Sequence, residues 1–128
     1  MTVQELFKQA IGIMGLIEAN ATTYEATLVP QVNTILGQLF DLENNVRKSK
    51  DIELLNEIPS VSDKTDTLLY QDEVLKRVAS WGLAQLFALT DDDTIKAGFF
   101  GARYAEESYN VSKIIHTDVI DVYGDQSW

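Results

Sequence analysis

The chain has 128 residues, enough for one domain and too few for two that each hold a core. Hydrophobic residues make up 45% of it and charged residues 23%, a balance that folds rather than remaining disordered. Twenty Asp and Glu oppose ten Lys and Arg, and the net charge of -10 disfavours a conventional DNA-binding role and argues against docking on anionic membranes, while serving solubility. The absence of cysteine excludes a disulfide framework, a thiolate metal site and a Cys nucleophile.

Thr2 and Glu5 have the spacing of a capping box, so a helix starts at the N-terminus. Val3, Leu6, Phe7, Ala10, Ile13, Met14 and Ile17 recur at three- and four-residue intervals, and Gly12 and Gly15 predict an end near Gly15. Glu5 and Lys8 stand where a signal segment would be apolar. No stretch approaches the roughly 18 uncharged apolar residues of a membrane span, so neither secretion by that route nor membrane insertion is expected.

Thr22 and Glu25 repeat the capping spacing, and Tyr24, Leu28, Val32, Ile35, Leu39 and Leu42 form a second stripe, the longest helix signal. Pro30 inside it predicts a kink or a later start, and Arg47, Lys48 and Lys50 suit a helix C-terminus. From Asp51 to Thr67 the pattern breaks into a polar connection punctuated by Pro59, Ser60, Ser62, Asp63 and Asp66, a length of loop that often carries function.

A third helix, capped by Asp72, runs through Leu75, Val78, Ala79, Gly82, Leu83, Leu86 and Leu89; with Trp81 and Phe87 it is apolar nearly all round and predicted to be the most buried. Asp91, Asp92 and Asp93 then open a fourth helix through Ala97, Phe100, Tyr104, Glu107 and Val111, its dipole favouring the three carboxylates. The β-branched run IIHTDVIDVY predicts a strand from about 114 before a tail from Gly124 to Trp128. Its partner would be Thr65 to Tyr70 or an edge on a neighbouring subunit. The expected fold is mainly α: a single domain over residues 1–128, a bundle of about four helices with a long loop and a C-terminal β-strand.

No constellation points to catalysis. His116 is the only histidine, with neither a Cys nor a nucleophile elbow to accompany it. The Asp91-Asp92-Asp93 run lacks the alternating ligands and closing Glu of a calcium loop and reads as a solvated helix start. Gly12 and Gly15 precede no phosphate-binding lysine, and Glu106 and Glu107 lie about 20 Å along a helix from the acidic turn. Phe99, Phe100, Tyr104 and Tyr109 have only Arg103 beside them, not the basic groove of a base-stacking platform, so they read as core or protein interface. No catalytic, cofactor-binding or metal-binding residue is assigned. The candidate interface comprises Leu68, Leu69, Tyr70, Phe99, Arg103, Tyr104, Ile115, Val119, Ile120, Val122 and Tyr123.

The order TYEATLVPQVNTILGQLFDLEN, NEIPSVSD, LLYQDEVLKRVASWGLAQLFALTDDD and AGFFGARYAEE resembles small structural proteins of tailed bacteriophages and prophages, in the head-tail connector or head-completion group concerned with DNA packaging. The resemblance covers most of the chain and rests on pattern, with no catalytic motif. It implies a homo-oligomeric ring in the virion, assembled in the bacterial cytoplasm. Such a ring extends the portal channel, docks the tail or neighbouring head proteins, and passes DNA without sequence-specific binding. The C-terminal IIHTDVIDVY has no counterpart in that pattern. Two other readings fit the residues: a small soluble adaptor or regulatory domain that binds one protein partner, and another phage tail or tail-completion protein.

Overall fold

A computed structural model describes the backbone of residues 1–124 and the side chains of residues 1–113. The chain is mainly α. Helix α1 (Val3–Ile13) is followed by two single 3-10 turns, Glu18–Asn20 and Thr22–Tyr24, and then by α2 (Glu25–Gln38) and α3 (Phe40–Ser49). An irregular segment over residues 50–71 leads to α4, which covers residues 72–90 as an α-turn (Asp72–Val74), a π-turn (Leu75–Ala79) and an α-helix (Ser80–Thr90). Helix α5 (Thr94–Gly124) closes the order.

The N-terminal signal is realised as far as Ala10; beyond it Ile11 is buried in place of Ile13 and Met14, and Ile17 lies past the helix, exposed. Thr2 and Glu5 form the reciprocal capping box, and Val3, Leu6, Phe7, Ala10 and Ile11 bury the stripe. The second signal divides. Leu39 (φ -99°, ψ 6°) interrupts the helix yet stays buried, so one apolar period spans α2 and α3. Pro30 lies inside α2 without ending it, and the Thr22–Glu25 capping box does not form: Thr22 sits in a 3-10 turn and α2 starts with no side-chain cap.

Helix α4 is the centre of the core, as its composition requires. Val74, Leu75, Val78, Ala79, Leu83, Ala84, Phe87 and Ala88 are all buried. It packs along α5 and against α1 and α2. Gly82 permits the closest approach: a Cβ there would lie 2.7 Å from the Tyr104 ring and 2.8 Å from Ile35 Cδ1. Phe87 is held edge-on by Phe7 and stacked by Tyr24, with ring centroids 5.8 and 4.7 Å away.

Three helices end in the same way. After α1, α3 and α4 the chain enters the left-handed region at Gly15, Asp51 and Asp92, with φ of 78°, 58° and 56°. In each case the next amide reaches back five residues to a carbonyl: Leu16 to Ile11, Ile52 to Arg47 and Asp93 to Ala88, at 2.9, 2.8 and 3.0 Å. These are Schellman closures, which satisfy the orphan carbonyls of the last turn. The acidic run is therefore a hinge between helices rather than a helix start alone. Asp91 accepts a hydrogen bond from Tyr24 Oη, Asp92 takes the left-handed position, and Asp93 caps α5 by accepting from the Lys96 amide at 3.0 Å.

The expected C-terminal strand is replaced by helix: α5 continues through Gly124. Extending a nucleated helix adds one backbone hydrogen bond per residue, whereas a lone strand leaves its backbone groups unpaired. The penalty for β-branched residues in a helix, at most about 0.7 kcal/mol each, does not reverse that preference. Among the described residues there is no strand; the single antiparallel bridge joins Thr67 to Thr2. The proposed strand partner, Thr65 to Tyr70, thus faces the N-terminus. Val3 and Gln4 donate to the carbonyls of Asp66 and Lys64, and Leu68 donates to that of Met1. The tail beyond Gly124 lies outside the described residues.

Candidate functional site

Residues 50–71 carry no regular structure, yet they are fastened along their length. Asn44 Nδ2 donates to the Leu55 carbonyl at 3.1 Å while its Oδ1 accepts from the Leu55 amide at 2.9 Å. Asn33 repeats the arrangement on Val61, at 3.0 and 2.8 Å. Each carboxamide takes the place of a neighbouring strand, satisfying one backbone donor and one acceptor. Within the segment, the Asp66 carboxylate accepts from the amides of Ser62 and Asp63, and those bonds hold its pKa below the usual carboxylate value.

A buried ion pair secures the C-terminal end. Glu43 is fully buried on α3 and accepts from Arg47 Nε at 2.6 Å and from the Gln71 amide at 2.8 Å. The remaining guanidinium nitrogens donate to the carbonyls of Glu53 and Leu69, at 2.9 and 2.7 Å. Burial pushes the Glu43 carboxyl above its ordinary pKa, although the Gln71 amide and Arg47 both pull it down. Tyr70 Oη donates to the Leu36 carbonyl, and burial, followed by the Glu43 charge, raises its pKa.

On its outer side the fastened segment shows Ile52, Leu54, Ile58 and Leu69, between 37% and 55% exposed. Irregular backbone held at both ends and along its middle, with aliphatic side chains turned outward, is the form of a preorganised docking surface.

A second exposed group lies on α5. Ile95, Phe99 and Tyr109 are 85%, 61% and 65% exposed. The opposite face of the same helix buries Ala97, Phe100 and Val111. Arg103 lies 5.0 Å over the Trp81 ring, and it pairs with Glu106 at 3.3 Å and Glu107 at 3.8 Å. Arg77 on α4 reaches Glu107 at 3.3 Å, tying α4 to α5.

The candidate interface residues therefore separate. Leu69 and Phe99 are exposed and Arg103 is half-buried against Trp81. Leu68 and Tyr70 are core residues, only 4% and 3% exposed, because the segment they belong to folds back over α2 and α3. Tyr104 is half-buried, packed at Gly82, with its hydroxyl donating to Gln38 Oε1 at 2.8 Å; burial raises its pKa. Ile115, Val119, Ile120, Val122 and Tyr123 lie on the helical backbone of α5, and their side chains fall outside the described residues.

No sequence pattern assigns a role to Asn33, Asn44 or Glu43, and Arg47 reads in the sequence only as a helix-end charge. The Glu43–Arg47 spacing of four was an available sign of their pairing. Among the described residues no three His, Asp or Glu gather where they would hold a metal ion, and no helix is long and apolar enough to cross a membrane. No protein-family model, curated protein or solved structure matches the chain.

Proposed function

We propose that this chain is a non-enzymatic docking subunit of a virion: a head-tail connector or adaptor of a tailed bacteriophage or prophage. Copies close by a heterologous interface into a ring that extends the portal channel and receives the tail. The observation that carries this reading is the fastened segment over residues 50–71. Two asparagine clamps and a buried ion pair hold it in place, and Ile52, Leu54, Ile58 and Leu69 face outward from it. A preordered apolar surface loses little conformational entropy when a neighbour covers it. The chain's net charge of -10 suits a channel subunit, since a negative wall does not retain passing DNA.

The test is assembly, followed by mass measurement and electron imaging of the chain alone and with the portal protein of the same genome. Rings, or discrete occupancy of the portal, are expected, and Leu54→Asp with Ile58→Asp should abolish them while the far-ultraviolet helical signal is retained. A chain that neither oligomerises nor binds the portal, or a double variant that assembles normally, overturns the proposal.

A further inference from the structure

The outward face of α5 is a second surface, distinct from the fastened segment. Helical spacing places Ile95, Phe99, Ala102, Glu106, Tyr109 and Lys113 within about 80° of one another around the helix. All six are exposed, over a length of about 27 Å. The charges along this face are unevenly placed. Glu106 is neutralised by Arg103 at 3.3 Å. Lys113 has no acidic partner within 4.0 Å among the described residues, while the acidic turn Asp91 to Asp93 immediately precedes the other end of the helix, with Asp91 and Asp92 exposed.

We propose that this face pairs with the same face of a second copy, antiparallel, about a two-fold axis near residue 104. In that register Phe99 meets Tyr109 of the second copy, and Lys113 lies over Ile95 of the second copy, from where its ammonium extends toward the acidic turn two to four residues beyond. Ala102 lies opposite Glu106, whose charge is already compensated. A parallel pair would instead set the acidic turns against each other and Lys113 against Lys113, so charge selects the antiparallel arrangement. An isologous contact of this kind repeats each pairing twice. The inference goes beyond the ring reading and stands without it, since it requires only the purified chain.

A single-helix interface is at the small end of specific contacts, so dissociation on the order of 100 µM is expected. The absence of cysteine makes a direct test available. Phe99→Cys and Tyr109→Cys each introduce one thiol at an exposed position, and a short bismaleimide is added to each variant alone and to their mixture. The expected result is a cross-linked dimer at least tenfold more abundant in the mixture than in either variant alone. Self-links in the separate variants equal to those in the mixture would indicate a parallel or random contact and overturn the proposal. In sedimentation equilibrium, Phe99→Glu should weaken self-association at least tenfold and Lys113→Glu several-fold, with unchanged helical signal. A wild-type chain that stays monomeric to millimolar concentration, or variants that associate as it does, also overturns it.

Discussion

Asp92 and Asp51 hold backbone conformations that most side chains avoid, and the reason is position rather than chemistry. Each is the residue after a helix C-terminus, where the Schellman closure requires a positive φ. Aspartate tolerates that region better than a β-branched residue, and glycine better still. At residue 92, stability should therefore rank glycine at least equal to aspartate and both above valine. Asp92→Val is expected to cost about 1–2 kcal/mol, read from urea denaturation. Two of the helical glycines, Gly82 and Gly98, give the complementary contrast. Gly82→Ala forces a methyl against Tyr104 and Ile35 in the α4–α5 contact, and about 1–3 kcal/mol of destabilisation is expected. At Gly98 nothing lies within 4 Å, so Gly98→Ala should stabilise by up to about 1 kcal/mol through helix propensity. Equal effects at the two positions would show that the close approach at Gly82 is not what fixes α4 on α5.

The fastened segment shows what can and cannot be read at the scale of an element. Helices α1 and α4 were legible because burial imposes a three- to four-residue apolar period, which Val3 to Ile11 and Val74 to Ala88 display. The segment over residues 50–71 was legible only as polar and long. Its order comes from Asn33, Asn44 and Arg47 bonding to backbone groups 6 to 28 residues away, and no local period records such contacts. The C-terminal misreading has the opposite cause: β-branched composition is a local signal, and the helix already running from Thr94 overrides it. The break at Leu39 was hidden because the buried stripe continues through it. For the proposed docking surface, Leu69 is legible but its neighbours Leu68 and Tyr70 point inward, an alternation that an irregular segment does not announce.

Removing Arg47 tests the energetic role of the fastening. In Arg47→Met the Glu43 carboxylate is buried without its cation, and about 3–5 kcal/mol of stability should be lost at neutral pH. The pH dependence follows from the direction of the shift. Burial raises the folded-state pKa of Glu43, so the folded protein binds this proton more tightly than the unfolded chain, and lowering the pH favours folding through this group. Without Arg47 the pKa rises further. The penalty should therefore be full at neutral pH and shrink as pH falls toward the ordinary carboxylate range. A pH-independent penalty measured by denaturation would mean that lost packing, not the unpaired charge, accounts for it. Asn44→Ala should speed hydrogen exchange at the Leu55 amide while leaving the α4 amides protected, since only the clamp is removed.

Charge acts at the scale of the whole molecule, where it opposes every contact between copies. Among the described residues, six of the ten cations are paired with acids of their own chain, namely Lys8, Arg47, Lys50, Lys76, Arg77 and Arg103. Few remain to offset a neighbour's carboxylates, and each copy carries a net charge of -10. The surfaces available for association are dominated by uncharged side chains, Ile52, Leu54, Ile58 and Leu69 on the segment and Ile95, Phe99 and Tyr109 on α5. Their burial is favourable at any ionic strength. The repulsion, by contrast, extends over about 30 Å at 0.01 M salt and about 8 Å at 0.15 M. Self-association should therefore strengthen as sodium chloride rises from about 0.01 to 0.15 M. It should strengthen again as pH is lowered from 7 toward the isoelectric point near 4.3, where the net charge vanishes. Local ion pairs such as that proposed for Lys113 are weakened by the same salt, but one pair on each side is a smaller contribution than ten uncompensated charges. Sedimentation across a salt series decides the balance: association that falls steadily with added salt would mean that ion pairs, rather than apolar surface, hold the copies together.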